Sequence, residues 1–528
     1  MTQDDTTFGR RDFLRRALLT GGALAAAAGP VSILGGCFMK GQEAGAPETA
    51  AHGAGADGLA PVTRRFGIGA DDIRRAISAA LSKGGDYCDL YFQHTSSNAL
   101  SLEDDAVNRA RTSVDLGVGV RVLKGDATGY AFTEELSPTA LLRAARTAAE
   151  IAEGAQGPVP QTFELKGHPS YYTIGGGLAS VDLAKKIALM KDVDARLKAG
   201  DKRIVKTSVS YQDDETEVMI VTSEGVVRHD VQPMTRLWAN CVAEQNGRRE
   251  TGGYNVSARD SFAFYGEERL TRLVSEAVRR TVLMFDAVQP KGGEMQVVLG
   301  AGASGILLHE AIGHGMEADF NRKGTSTFSD RLGKKVAEPF VHIIDDATIP
   351  GARGSINVDD EGNPTEMTSL VEGGVLASYL HDRLSAKHYG VKTTGSGRRE
   401  SFRHVPMPRM RSTYMAAGPH RRDEIIQSVK HGIYCESFSN GQVNIGAGDF
   451  TFFVKTGYMI EDGKLGQPIK DVNLIGNGPD VLAKICMVAN DLEYDEGGWT
   501  CGKNGQGVPV SLGMPTVKVS AITVGGRA

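Results

Sequence analysis

The chain lacks most of the features that would place it at a glance. It has 6 cysteines in 528 residues and none stands in a C-x-x-C pair, so no zinc-ribbon spacing and no dense disulfide framework is written in it. Beyond Cys37 they are Cys88, Cys241, Cys435, Cys486 and Cys501, and most read as small buried apolar residues. No basic stripe with interleaved aromatics occurs and the formal net charge is −5, which excludes nucleic acid as the expected partner. No G-x-S-x-G is present, against a serine esterase or amidase. There is also no short internal repeat. What remains is a glycine-rich chain, long enough for two or more domains with sizeable cores.

The first residues carry a targeting pattern. Arg10-Arg11-Asp12-Phe13-Leu14 is a twin-arginine motif, followed over residues 17–34 by an apolar stretch rich in Ala, Leu and Gly. The stretch is nearly long enough to span a bilayer, but its composition behind an arginine-rich front fits an export signal better. Leu34-Gly35-Gly36-Cys37 resembles a lipobox. Cleavage before Cys37 would leave a lipid-anchored cysteine; the alternative is cleavage near residues 25–29, with Cys37 incidental. Residues 38–65 are Gly, Ala and polar residues without an apolar period, the composition of a tether. The expected location is periplasmic or otherwise extracytoplasmic, after export of a chain already folded and loaded with its metal.

Residues 70–83 have a helical apolar period that stops at Gly84-Gly85. Strand-like runs follow at 87–94, 100–102, 117–123 and 128–132, then a helix at 139–153: helices packed on a sheet. A helix at 181–197 precedes strand runs at 205–211, 217–222, 226–229 and 234–244, spaced like an antiparallel meander. A long helix at 267–284 ends before the break Pro290-Lys291-Gly292-Gly293. A strand at 295–299 and a helix at 303–318 come next, and everything after about 340 is strand- and glycine-rich. The expectation is an α+β protein. It has a signal over 1–37, a linker over 38–65, an N-terminal helix-on-sheet region over 66–290, and a C-terminal curved-sheet or barrel-like domain over 291–528.

The segment His309-Glu310-Ala311-Ile312-Gly313-His314 lies in the 303–318 helix. Two imidazoles and a carboxylate within six residues suggest a zinc site with a glutamate base. The spacing departs from H-E-x-x-H. Five steps leave the two side chains roughly 140° apart on a regular helix, so both reach one ion only if the helix is locally unwound. Gly313 would permit such a bulge. Two histidines on a polar helix face are the plain alternative. A catalytic zinc needs a third protein ligand and an open position for water. Glu317, Asp319, Glu338 and Cys501 are candidates, and spacing does not choose among them. Cys501 sits in a glycine-flanked loop near Lys503, surroundings that favour thiolate. Gly300-Ala301-Gly302-Ala303-Ser304-Gly305 matches G-x-G-x-x-G, but the polar loop Asn321-Arg322-Lys323-Gly324 follows where a nucleotide fold needs a second parallel strand. Its glycines fit better as a close approach of helix to strand.

The run from Leu307 to Phe320, with His309-Glu310-Ala311-Ile312-Gly313-His314 at its centre, resembles the signature of the TldD/PmbA metalloprotease family, TldD-like branch. The resemblance continues in Asp359-Asp360-Glu361-Gly362, Gly397-Arg398-Arg399-Glu400-Ser401, His404-Val405-Pro406-Met407-Pro408-Arg409-Met410, Cys501-Gly502-Lys503 and Gln506-Gly507-Val508-Pro509-Val510. It covers roughly residues 66–528; the export signal departs from it. It implies Zn2+ held by His309, His314 and Cys501, with Glu310 as catalytic base toward zinc-bound water. It also implies small or unfolded peptides as substrate, and a homodimer or a heterodimer with a PmbA-like subunit. His381, His388, His404, Arg398, Arg399, Arg403, Arg409 and Arg411 are polar residues of the same half that could hold a substrate carboxylate or carbonyl; for most of them a solvated or ion-paired role is the expectation. The competing reading is a non-catalytic partner or binding subunit with a structural metal.

Overall fold

The computed structural model describes residues 58–173 and 177–526. The twin-arginine motif, the apolar stretch, Cys37 and the tether as far as residue 57 lie outside the described residues.

The N-terminal half is a seven-stranded sheet, in the order Ala127–Thr133, Ala106–Lys124, Tyr87–Glu103, Ile204–Thr222, Val226–Gln245 and Glu164–Leu165, with Arg248–Ala258 also pairing Val226–Gln245. Side chains of a strand alternate between its faces, and here the two faces have different tasks. Cys88, Leu90 and Phe92 bury with Val118, Val120 and Val122 beneath the helices Ala70–Ala80 and Pro138–Ala149. Further along, Leu100 and Leu102 bury with Val209 and Tyr211 beneath Leu183–Gly200 and Glu267–Val282. The intervening residues Asp89, Tyr91 and Gln93 reach Arg121, Asp360 and the Phe402 N–H. One face therefore meets helices, and the other meets the C-terminal half through polar groups.

The strands are longer than the sequence pattern predicts. The runs at 205–211 and 217–222 are one strand, Ile204–Thr222, although Gln212-Asp213-Asp214-Glu215-Thr216 between them reads as a turn. Asp213 explains part of this: it is buried against Lys186 Nζ at 2.5 Å and accepts from Tyr211 Oη at 2.6 Å. Arg248–Ala258 had no apolar period to announce it, but Asn246-Gly247, at φ 53° and 74°, makes the tight hairpin turn that pairs it.

The C-terminal half has two large sheets and a small one of two strands, Gly397–Arg398 with Met407–Pro408. Strand Gly293–Leu299 pairs with His431–Asn444 and Val517–Gly525; the latter pairs Val472–Asn477, which pairs Asp449–Glu461, which returns to His431–Asn444. These five strands close a small barrel, the curved-sheet domain expected. A six-stranded sheet lies beside it, in the order Val375–Leu376, Met367–Glu372, Ile343–Asp346, Ser412–Met415, Gln506–Met514 and Glu493–Lys503. One apolar cluster joins the two, with Leu307, Leu308 and Ile312 of the histidine segment inside it. The α+β class stands.

Candidate metal centre

Gly305 begins a helix that runs as regular α only to Leu308. A Cβ on Gly305 would lie 2.8 Å from the Gly513 nitrogen, so the glycine lets the helix start against strand Gln506–Met514. The next strand in sequence, Ile343–Asp346, belongs to the other sheet. The βαβ unit of a dinucleotide site is not formed.

From His309 the helix widens. Residues His309–Gly313 are π-helical, with the His314 N–H closing on the His309 carbonyl, and His314–Met316 then tighten into a 3-10 turn. An i→i+5 closure brings the fifth residue back over the first. The imidazole centroids are 5.1 Å apart at an interplanar angle of 82°. The distortion that the spacing demands is present, but Gly313 contributes differently from expectation. Its φ of −60° and ψ of −49° are ordinary helical values. A Cβ there would sit 2.0 Å from Met410 Sδ, so the glycine makes room for Met410 and supplies no unusual backbone angle.

Cys501 arrives from the six-stranded sheet. It is on strand Glu493–Lys503, opposite Val508, and not in a loop; the turn is Asn504-Gly505, at φ 51° and 74°. Its Sγ lies 3.4 Å from His314 Nε2. One ligand atom each from His309, His314 and Cys501 falls within 4.8 Å of the others, and all three residues are buried. Glu310 Oε2 is 3.9 Å from His314 Nε2, and the Glu310 side chain keeps 18% exposure against 3% for His314, so the carboxylate faces the accessible side of the cluster.

Glu317 accepts from His314 Nδ1 at 2.9 Å and meets Lys503 Nζ at 2.9 Å. Lys503 also donates to Asp319 and to the Pro408 carbonyl. Glu317 and Asp319, weighed as ligands, therefore stand behind His314. Such a carboxylate fixes the ring's tautomer and turns Nε2 toward the cluster. Sequence reasoning missed this role, although Glu317 three residues after His314 was its signal. Glu338 is elsewhere, paired with Lys335 at 3.1 Å.

The electrostatics follow from burial and close charges. Burial alone would raise the Cys501 thiol, but His314 and His309 hold it well below its ordinary value. Burial would likewise raise Glu317, yet Lys503 and His314 bring it down to about 2. Glu310 is pushed up, chiefly by burial. His309 is 1% exposed, and among the described residues neither ring nitrogen has a hydrogen-bond partner. Buried polar groups are rarely left so. A cation among the three donors would supply the missing partner, and two imidazoles with one thiolate suit zinc.

Most of the remaining polar candidates are structural. Arg411 binds Asp345 at 2.6 Å, Arg403 binds Asp115 at 2.7 Å, and Arg399 lies 3.3 Å from Asp89. His404 meets Ser401 Oγ, His388 stacks edge-on with Tyr389, and burial pushes His381 down to about 4. Arg409 donates to the Cys501 carbonyl at 2.5 Å. Arg398 is the exception taken up below.

Models of the PmbA/TldA metallopeptidase match three stretches of the chain: domain 1 over residues 88–152, the central domain over 176–285 and the C-terminal domain over 292–526. The metalloprotease TldD homolog of Haemophilus influenzae is 42% identical over 448 residues, 84% of this chain and 93% of that protein. The chain belongs to the PmbA/TldD metallopeptidase family. The TldD homolog of Buchnera aphidicola subsp. Schizaphis graminum is 38% identical over 84% of this chain and 93% of its own length. The crystal structure of TldE from Thermococcus kodakarensis shares the fold, at TM-score 0.68 and 18% identity, covering 86% of this chain and 99% of that one. The relatives' names and the family together point to a metal-dependent peptidase.

Proposed function

We propose that this member of the PmbA/TldD family is a zinc peptidase acting on small or unfolded peptides, with zinc on His309, His314 and Cys501 and with Glu310 as its proton carrier. One observation carries the reading: three buried donor atoms converge within 4.8 Å, one of them on an imidazole that has no hydrogen-bond partner among the described residues. Bound there, zinc would lower the pKa of a water ligand and polarise the scissile carbonyl. The residues divide the remaining work. Glu317 and Lys503 hold the His314 ring in place. Burial raises the Glu310 carboxyl toward the range in which it both takes a proton and returns it to the leaving amine. The thiolate of Cys501 adds negative charge to the donor set, which makes the metal a milder acid than three neutral imidazoles would. Strand addition at a sheet edge is a way to hold peptides of varied sequence.

The non-catalytic reading needs a closed, four-donor metal. Among the described residues the cluster has three donors, and Glu310 is the base that a structural site has no use for. The test is metal content and hydrolysis together, on residues 58–528. Wild type should carry about one zinc per chain and cleave members of a peptide library. Glu310→Gln should keep the zinc and lose roughly 10²–10⁴-fold in rate, and Cys501→Ala should weaken zinc binding. A fully active Glu310→Gln variant would end the assignment. The reading extends to twin-arginine export, an extracytoplasmic location with Cys37 as lipid anchor, and a dimer with itself or with a PmbA-like subunit. Replacing Arg10-Arg11 by two lysines should abolish export, and light scattering on the purified chain reads the dimer.

A further inference from the structure

Among the described residues, half of the buried Lys and Arg side chains are matched by carboxylates. Arg121 lies between Asp89 and Glu361, Arg411 lies on Asp345, and Lys186 on Asp213. Arg398 is not matched. It is 3% exposed and forms no ion pair among the described residues; its one side-chain hydrogen bond runs from Nη1 to the Met410 carbonyl at 2.7 Å.

Its position is fixed. The backbone of Arg398 pairs with Met407, and Met410, which receives its Nη1, is the residue whose sulfur fills the space at Gly313 beside His314. A single residue thus links the guanidinium to the histidine turn. The neighbouring cations are unpaired as well. Arg259 gives Nε to the Arg353 carbonyl at 3.2 Å and Nη1 to Gln232 at 3.4 Å. Arg409 gives Nη2 to the Cys501 carbonyl, while among the described residues its buried Nε has no partner. Asp360, whose charge Arg398 feels, is already engaged by Tyr91 at 3.2 Å and by the Arg399 N–H at 2.7 Å. Burial and the nearby Arg259 push Arg398 down to about 9, against the pull of Asp360 and Cys501.

A buried guanidinium without a counter-charge is costly unless an anion meets it. Every linear peptide brings one anion to any site, its terminal carboxylate, and the guanidinium fork fits that group in a bidentate way. A carboxylate held at Arg398 would place the end of the peptide across a single residue, Met410, from the histidine turn. We propose that Arg398, with Arg259 behind it, holds the free C-terminal carboxylate of the bound peptide, so that the enzyme trims peptides from their carboxyl ends. This rests on the peptidase reading for its consequence, but the binding step can be tested alone.

The experiment uses the zinc-loaded chain carrying Glu310→Gln, so that bound peptide is not turned over. Fluorescence anisotropy compares an N-terminally labelled peptide ending in a free acid, its C-terminal amide, and the amide with an internal Asp. The free acid should bind roughly tenfold tighter than either amide, the scale of a charge-assisted pair. Adding Arg398→Gln should erase the difference at unchanged zinc content, and Arg398→Lys should restore part of it. Equal binding of acid and amide in the Glu310→Gln parent overturns the proposal without any variant at Arg398. So does discrimination that survives Arg398→Gln, and so does an Asp-bearing amide that binds as well as the acid. Wild type that prefers the acid yet cleaves nothing would strike the peptidase reading and leave the Arg398 assignment standing.

Discussion

Two buried polar clusters in this chain are built from similar groups and end differently. Where the N-terminal sheet meets the C-terminal half, Arg121 donates to Asp89 at 2.7 Å and to Glu361 at 2.6 Å, and Arg399 reaches Asp89 and the Asp360 carbonyl. Charge there is answered by charge from across the interface. At the histidine turn, His309 faces His314 and Cys501 with neither of its nitrogens satisfied. Donors that pair among themselves hold the protein together; donors that converge unpaired hold something else. Arg398 belongs to the second kind; Arg411, thirteen residues further along the chain, belongs to the first.

That division can be broken in graded ways. The largest effect should come from Arg121→Met, which strips the buried Glu361 of its cation and leaves Asp89 with Arg399, and should cost about 3–5 kcal/mol in urea unfolding, while the folded fraction keeps its zinc stoichiometry. A variant of full stability would mean the interface charges are not what joins the halves. Next is Glu317→Gln, which removes the charge behind His314 and should weaken zinc about 10–100-fold by competition with a chelator, with the fold intact by circular dichroism. Gly313→Ala forces a methyl onto Met410 and should cost roughly 1–3 kcal/mol. Met410→Ala in the same chain should return part of that loss, whereas a glycine needed for its backbone angle would not be rescued. The smallest effect is in pH. Desolvation raises the Asp214 carboxyl from 3.8 to about 6, opposed by Arg353 and Arg259. The folded chain thus binds this proton more tightly than the unfolded one, and its contribution is present below about 4 and lost as pH rises through about 6. Asp214→Asn should flatten that part of the profile and leave the variant relatively more stable at pH 8 than at pH 4 in parallel melts.

Much of this was legible in the sequence. The five-residue histidine spacing demands a widened turn, and the turn is π-helical. The α+β class and the barrel-like second half could be read from apolar periods and glycine. Local pattern could not show that residues 205–211 and 217–222 are one strand, because Lys186, which pairs the buried Asp213, lies on another element. Nor could it show that Met410, nearly a hundred residues from Gly313, explains the glycine. Cys501 came from likeness to a family and not from spacing, since a thiol on a strand has no periodic mark. The unpaired state of Arg398 is a property of what is missing around it, and a sequence does not record that.

The barrel closes with strand Val517–Gly525 against Gly293–Leu299, and Cys501 sits shortly before that closing strand. Both leave the ribosome long after His309 and Glu310. A nascent chain that has just exposed its histidines has neither the thiol nor the wall against which the turn is packed. The three-donor cluster therefore cannot assemble until nearly the whole chain has been made, and a chain truncated before its last hairpins lacks it.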